Sequence, residues 1–157
     1  MKVIMLVIGK TTDAYLREGI AIYTKRLQHY IPFEIKEIPD VRNAGNLSHA
    51  QLKAQEGQLI LRQLGANDDL LLLDENGLQF SSEEWSGYLD KKLCYSARSL
   101  VFVVGGAFGF SDEVMQRASD KISLSRMTFS HQMARLIFVE QLYRAFTIIK
   151  GESYHHP

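Results

Sequence analysis

Apolar runs recur along this chain, and each is followed by a segment in which apolar positions have helical spacing. Val3 to Ile8 is the first run and ends at Gly9, a pattern typical of a strand buried on both faces. The second run alternates more and is flanked by prolines, which indicates a strand nearer the sheet edge. The predicted strands cover residues 3–8, 33–38, 70–73, 100–104 and 122–125.

Between these strands the apolar positions recur every three or four residues, which predicts helices. Ser48, Ser81 and Ser111 are the predicted N-caps, and Glu84 completes a capping box with Ser81. The other two predicted helices cover residues 13–30 and 131–150. Strands alternating with helices predict an α/β fold, with a parallel sheet and flanking helices in a single domain spanning residues 1–157.

In parallel sheets, ligands bind beyond the carboxyl ends of the strands. The loops after Leu73, Val104 and Ser125 are therefore the candidate site. The segment Gly105 to Gly109 allows positive φ angles and a close approach of backbone to ligand. It matches neither the dinucleotide fingerprint nor a phosphate-binding Walker loop, so a nicotinamide enzyme is disfavoured. The residues Asp74 to Gly77 predict a turn after the third strand.

The last predicted helix, His131 to Lys150, is apolar on nearly every side and contains no Gly or Pro over about 30 Å. Such a helix must be covered on more than one side. Two interpretations stay open: a central core helix, or a helix shared between its own domain and a second subunit. Its few polar residues, among them Arg135, Glu140 and Arg144, are spaced to meet a partner or ligand.

Composition narrows the function classes without identifying one. Eighteen basic and eighteen acidic residues balance overall, but residues 117–157 hold six basic against three acidic residues, an excess of three that suits a phosphate-bearing partner. Cys94 is the lone cysteine, which excludes an intrachain disulfide and a cysteine-rich zinc site and fits a reducing cytoplasm. The histidines lack helical metal-ligand spacing, so we expect no metal. The opening apolar run is too short to span a membrane.

Several motifs, taken in order and at this chain length, resemble the SPOUT-class methyltransferases that act on the N3 atom of a pseudouridine in large-subunit ribosomal RNA. The similarity covers the chain from the first strand to the last residues. The motifs are Leu73 to Gly77, Val103 to Gly109, Leu124 to His131 with Arg135, Glu140 to Ala145, and Tyr154-His155.

This resemblance implies a parallel α/β fold with a C-terminal trefoil knot, a homodimer, and S-adenosylmethionine as cofactor. General rules discourage knots, so the knot comes entirely from the resemblance. The implied cofactor-binding residues are Leu73, Gly105, Leu124, Ser125, Arg126, Met127, Thr128 and Phe129. We also expect that a side chain at Gly105 would intrude on the cofactor or demand a forbidden φ.

The resemblance also assigns candidate catalytic residues at the C-terminus. Tyr154 and His155 are the candidates for the chemical step, because a tail can close over a bound base and histidine titrates near neutral pH. Arg144 and Arg135 are candidates to pair with phosphate or with developing negative charge, although one of them could simply orient the helix. A frayed tail over residues 153–157 is the alternative.

The leading hypothesis is an S-adenosylmethionine-dependent methyltransferase of N3 of a pseudouridine in 23S rRNA. We expect it to be a cytoplasmic protein with ribosomal RNA or the assembled ribosome as partner, and with neither membrane nor metal. The alternative from another class is a non-enzymatic RNA- or ribosome-binding α/β protein. A third possibility is a methyltransferase acting on a different nucleic acid or on a small molecule.

Overall fold

The computed structural model describes residues 1–95 and 99–157, in which a five-stranded parallel sheet has the strand order β2-β1-β4-β3-β5. The α/β architecture predicted from the sequence is confirmed. The strands are β1 Lys2–Ile8, β2 Phe33–Ile38, β3 Asp69–Gln79, β4 Ser99–Val104 and β5 Asp120–Ser123. The helices are α1 Ala14–Leu27, α2 His49–Arg62, α3 Ser82–Tyr95, α4 Asp112–Arg117 and α5 His131–Ile149, with a 3-10 turn at Ala44–Asn46.

Alternation along each strand divides the core into two layers. In β1, Val3, Met5 and Val7 belong to the core shared with α1, α3 and α5. Ile4 and Leu6 point the other way, toward the core shared with α2 and α4. Because both faces are covered, β1 and β4 are apolar without interruption at their centres, as the sequence pattern predicted. Strand β2 lies at the sheet edge, also as predicted.

Helix α5 lies in the first layer and packs against both α1 and α3. Its Phe138 ring meets the Phe102 ring of β4, with centroids 4.8 Å apart. Among the described residues, no large apolar side chain of α5 counts as exposed. Packing within one subunit therefore accounts for the apolar side chains on nearly every side of α5. These side chains do not by themselves require a second subunit. Ser130 caps the helix by accepting from the Met133 amide at 3.1 Å.

The predicted turn at residues 74–77 is wrong, because β3 continues through it to Gln79. The irregularity appears instead as a register shift: Leu73 and Leu78 both pair with Ile122. A Cβ on Gly77 would come 2.5 Å from the Lys121 carbonyl carbon, so this crossing requires glycine. Strand β5 also begins and ends two residues before its predicted bounds.

The predicted helix caps are confirmed. Ser48 forms a capping box with Gln51, and Ser81 forms one with Glu84. Ser111 caps α4 through the Val114 amide. No helix in the described part of the chain is long and apolar enough to cross a membrane. The knot concerns the path of the chain rather than the strand order, and it stays a prediction.

Candidate active site

A cavity of about 210 Å³ opens at the carboxyl ends of β4 and β5, beside residues 73–75 of β3. The loops after Val104 and Ser125 form two of its walls, as expected where parallel neighbouring strands end on the same side of the sheet. The third wall, after Leu73, was predicted to be a loop but is part of strand β3. The N-terminus of α5 completes it through His131 and Ala134. The other lining residues are Leu73, Asp74, Glu75, Val104, Gly105, Gly106, Ala107, Gly109, Phe110, Leu124, Ser125, Met127, Thr128 and Phe129.

Seven of the eight predicted cofactor-binding positions line this cavity. The exception is Arg126, which is exposed and absent from the lining. Glu75 and Phe110 are among the lining residues that the sequence prediction did not name, although both belong to segments that it singled out. The sequence signal that could have found them is their position relative to the strand ends, because neither a glutamate nor a phenylalanine indicates a pocket by itself.

The loop after β5 is held in shape by short-range hydrogen bonds. Ser123 donates from its hydroxyl to the Ser125 carbonyl at 2.9 Å, and the Met127 amide donates to the Ser125 hydroxyl at 3.0 Å. Thr128 then donates to the Glu75 carboxylate at 2.7 Å, which joins this loop to β3 across the cavity. These bonds fix two walls of the cavity relative to each other.

The glycine-rich loop is shaped by close packing rather than by unusual backbone angles at its start. A Cβ on Gly105 would come 2.8 Å from the Phe110 ring, and one on Gly106 would come 2.7 Å from the Glu56 carboxylate. Gly105 does not have positive φ, so the forbidden-φ part of the expectation is wrong; Gly109 has φ of 84°. The loop folds tightly because side chains from α2 and from its own far end occupy the space where Cβ atoms would lie.

Glu56 is a buried carboxylate behind this loop, with 8% of its surface exposed. Burial raises its pKa, and the negative charge of Asp40 adds to the effect. Within residues 1–95 and 99–157, no donor forms a hydrogen bond or ion pair with it. A partly desolvated carboxylate without a partner favours its protonated form, so the ionised state of Glu56 costs stability here.

His131 lies at the cavity edge, where α5 begins. Burial lowers its pKa, and the nearby Arg135 charge lowers it further, while Asp40 acts in the opposite direction. The imidazole is therefore neutral at neutral pH.

Arg135, a predicted catalytic residue, is fully buried in this subunit, with 1% of its surface exposed. Its guanidinium donates to the Ile8 carbonyl at 2.6 Å and to the Thr11 hydroxyl at 3.0 Å. Neither contact faces the cavity, whose lining does not include Arg135. This position favours the alternative that the sequence left open, namely that one arginine orients the helix. Gln132 adds to this connection by accepting from the Thr12 amide.

The other three predicted catalytic residues lie together on the surface of α5. Arg144 contacts Glu140 through a 2.6 Å ion pair, and its Nη1 atom is 3.0 Å from the His155 Nδ1 atom. The Arg144 guanidinium also lies over the Tyr154 ring, 4.7 Å from its centroid. Tyr154 donates from its hydroxyl to the same Glu140 oxygen at 3.0 Å. We call Glu140, Arg144, Tyr154 and His155 the tail cluster.

Protonation states in the tail cluster follow from these contacts. Burial raises the pKa of Tyr154, with hydrogen bonds to Tyr23 and Glu140 acting in the same direction, so Tyr154 remains a neutral phenol. The hydrogen bond to Glu140 raises the pKa of Arg144. Because arginine can only donate, the His155 Nδ1 atom must accept from it. The neutral imidazole then carries its proton on Nε2.

The tail is packed rather than frayed. Gly151, with φ of 70°, turns the chain back after α5. The Glu152 amide then donates to the Thr147 carbonyl at 2.8 Å, and the Glu152 carboxylate accepts from the Tyr30 hydroxyl at 2.7 Å. Tyr154 meets the Tyr143 ring edge-on. The frayed-tail alternative is therefore wrong for this structure.

The tail cluster and the cavity lie against different parts of α5. Arg144 follows Ala134, the cavity-lining residue of α5 nearest to it, by ten residues, which is about 15 Å along the helix axis at 1.5 Å per residue. None of the four cluster residues lines the cavity. No group of three or more His, Cys, Asp or Glu side chains capable of holding a metal ion occurs among the residues that the structure describes.

Comparison with known proteins gives a family for this arrangement. A family profile described as "Predicted SPOUT methyltransferase" matches residues 1–155. The chain is 57% identical over 156 residues to a protein of Parabacteroides distasonis named "Ribosomal RNA large subunit methyltransferase H", covering 99% of both chains. Proteins with the same name from Cytophaga hutchinsonii and Flavobacterium johnsoniae are 56% and 53% identical over 156 residues, covering 99% of this chain and 100% and 99% of theirs. The chain therefore belongs to the SPOUT methyltransferase family.

Proposed function

We propose that this protein is an S-adenosylmethionine-dependent methyltransferase of large-subunit ribosomal RNA, which methylates N3 of a pseudouridine in 23S rRNA. One observation carries the proposal. The three segments that line the cavity belong to a chain that aligns from end to end with proteins named ribosomal RNA large subunit methyltransferase H. Because ribosomes lie in the cytoplasm, we propose the same location for this protein.

The cavity lining fits S-adenosylmethionine. Leu73, Leu124 and Phe129 supply apolar surface for an adenine ring, while the Ser125 and Thr128 hydroxyls supply polar contacts. Backbone groups of the glycine-rich loop add further donors and acceptors. When bound, the cofactor supplies a methyl group on a sulfonium, which needs alignment with its nucleophile more than it needs activation.

In the chemical step, the bond from N3 to the methyl group would form as the bond from the methyl group to the sulfonium sulfur breaks and leaves a neutral thioether. The N3 proton would pass to bulk water or to the His155 imidazole. Loss of this proton puts negative charge on the imide, and Arg144 is the cation suited to stabilise it. Tyr154 stays protonated, so its role is to donate a hydrogen bond or to stack, not to accept the proton. His155 Nδ1 is held by Arg144, so the imidazole must exchange that bond before it can take a proton.

We further propose that the active site combines two protomers. Within one subunit Arg144 lies about 15 Å along α5 from Ala134, the nearest cavity-lining residue of that helix, too far for a shared reacting atom. In a homodimer, the tail of one protomer covers the cavity of its partner. Such a dimer also brings two mildly basic C-terminal regions to one RNA surface, and binding then weakens with salt.

Calorimetry with S-adenosylmethionine separates this proposal from the non-enzymatic alternative. A methyltransferase binds the cofactor in the cavity, and Gly105→Val removes that binding while Gly87→Val, at an open helical position, retains it. Failure of the wild-type protein to bind S-adenosylmethionine at millimolar concentration would rule out the enzyme. It would leave a ribosome-binding protein that has kept the fold.

A further inference from the structure

We infer that the rings of His49 and Phe108 form a stacking platform for an unpaired base of the RNA substrate, at the rim of the methyltransferase cavity. The inference rests on the proposed function, because it names the part of the substrate that this surface holds. We call the two rings together with Lys53 the rim platform. Neither the predicted cofactor-binding residues nor the tail cluster includes any of the three.

The two rings are stacked, with centroids 3.7 Å apart and planes inclined by 18°. His49 is the first residue of α2, and Phe108 lies in the glycine-rich loop. Phe108 nevertheless has 44% of its surface exposed, and His49 is exposed as well. An aromatic pair packed for stability alone would normally be more deeply buried. This pair therefore offers ring surface to solvent.

The rim platform adjoins the cavity through the chain itself. Ala107 and Gly109, the immediate neighbours of Phe108, both line the cavity. Gly109 has φ of 84°, and nothing lies within 4 Å of the place where its Cβ would be. A nucleotide next to the target base can therefore reach the Phe108 ring while the target approaches the cavity.

Lys53 supplies a cation beside the rings. It follows His49 by four residues in α2, so the two side chains are neighbours on one helix face. Farther along this face, Glu56 is buried against Gly106, which shows that the face is directed toward the glycine-rich loop. Within residues 1–95 and 99–157, Lys53 forms no ion pair with a carboxylate. Its ammonium group is thus available to an RNA phosphate.

An unpaired RNA base is the occupant that fits both features. An enzyme that acts on a base must take it out of its stack, which leaves the flanking bases without stacking partners. Exposed aromatic rings accept such bases regardless of sequence, and a nearby lysine neutralises the connecting phosphate. The competing explanation is that the His49–Phe108 contact only holds the glycine-rich loop in place.

Methyl transfer to ribosomes from a strain lacking the methyltransferase tests the inference. We expect Phe108→Leu, which keeps apolar bulk but removes the ring, to lower kcat/KM about tenfold. Phe108→Tyr, which keeps the ring, retains activity. Tyr95→Leu is the matched control, because Tyr95 is the more exposed aromatic, at 87%. Tyr95 ends α3, before the amino end of β4, whereas the cavity lies at the carboxyl end of that strand.

Salt dependence tests the lysine separately. At constant magnesium, Lys53→Gln should reduce the slope of log kcat/KM against log salt by about 0.7, the value for one phosphate contact on a single strand. Lys91→Gln, an exposed cation on α3, serves as the control and should leave the slope unchanged.

Cofactor affinity decides between the platform and the loop-holding explanation. If Phe108→Leu binds S-adenosylmethionine as the wild type does while kcat/KM falls, the platform is supported. A fall in cofactor affinity that matches the fall in kcat/KM, or a wild-type kcat/KM in Phe108→Leu, would overturn it. Absence of methyl transfer by the wild-type protein to any ribosomal particle would instead refute the proposed function.

Discussion

At the scale of single residues, position 105 requires glycine because the Phe110 ring of the same loop occupies the space where a Cβ would lie. We predict that Gly105→Val abolishes binding of S-adenosylmethionine, because its Cβ would displace the Phe110 ring, which itself lines the cavity. Overpacking of this kind costs about 1–3 kcal/mol of the free energy of unfolding, so the variant still folds. Calorimetry measures the loss against Gly87→Val. Unchanged cofactor binding in a folded Gly105→Val protein would reduce the loop to a simple turn.

Glu56 gives a prediction about stability and pH. Its pKa in the folded state is raised above the ordinary value of 4.5, so the fold disfavours the ionised form. The resulting penalty is complete above the folded pKa and vanishes as the pH falls below 4.5. We expect Glu56→Gln to raise Tm at neutral pH and to leave it unchanged at the acid end of the range.

Thermal melts across this pH range, with Glu18→Gln as the control, check the Glu56 prediction. Glu18 is an exposed carboxylate on α1, and its replacement should change Tm little at any pH. A lower Tm for Glu56→Gln at neutral pH would mean that the carboxylate is stabilised in a way that its surroundings do not suggest.

At the scale of elements, the C-terminal tail is joined to α5 by side chains from two of the motifs found in the sequence, Glu140 to Ala145 and Tyr154-His155. We predict that removing residues 153–157 leaves cofactor binding and dimerisation nearly intact but lowers methyl transfer by about a hundredfold or more. The reason is that Arg144 then keeps its ion pair with Glu140 but loses His155 and Tyr154, which also lie against its guanidinium. Full transfer activity in the truncated protein would remove the tail from the mechanism and shift the chemical step to His131 and Arg144.

Elements were predictable from the sequence where local chemistry determines them. The serine caps and the uninterrupted run of α5 depend on residues close in sequence, and they lie where expected. The extension of β3 through Gly77 was missed, because it depends on the Lys121 backbone, more than forty residues away. Burial of Arg135 was missed for the same reason, since its partners Ile8 and Thr11 belong to the other end of the chain.

At the scale of the whole molecule, the composite site makes a prediction for mixed dimers. Gly105→Val and the protein lacking residues 153–157 should each be nearly inactive. Mixing and re-equilibrating them should restore about a quarter of wild-type activity, because half of the dimers are mixed and each holds one intact site. Light scattering should give twice the chain mass of 17.9 kDa. A stable monomer at micromolar concentration, or no recovery in exchanged dimers, would refute the shared site.

Mass spectrometry of nucleosides from large-subunit rRNA is the most direct test of the central claim, that this cavity and tail methylate a ribosomal pseudouridine. RNA from cells with and without the gene is compared, and RNA from the deficient cells is then treated as ribosomes with the purified protein and S-adenosylmethionine. We predict that one pseudouridine loses its N3 methyl group in the deficient cells and regains it on treatment. An unchanged set of methylated nucleosides in the deficient cells would contradict the claim.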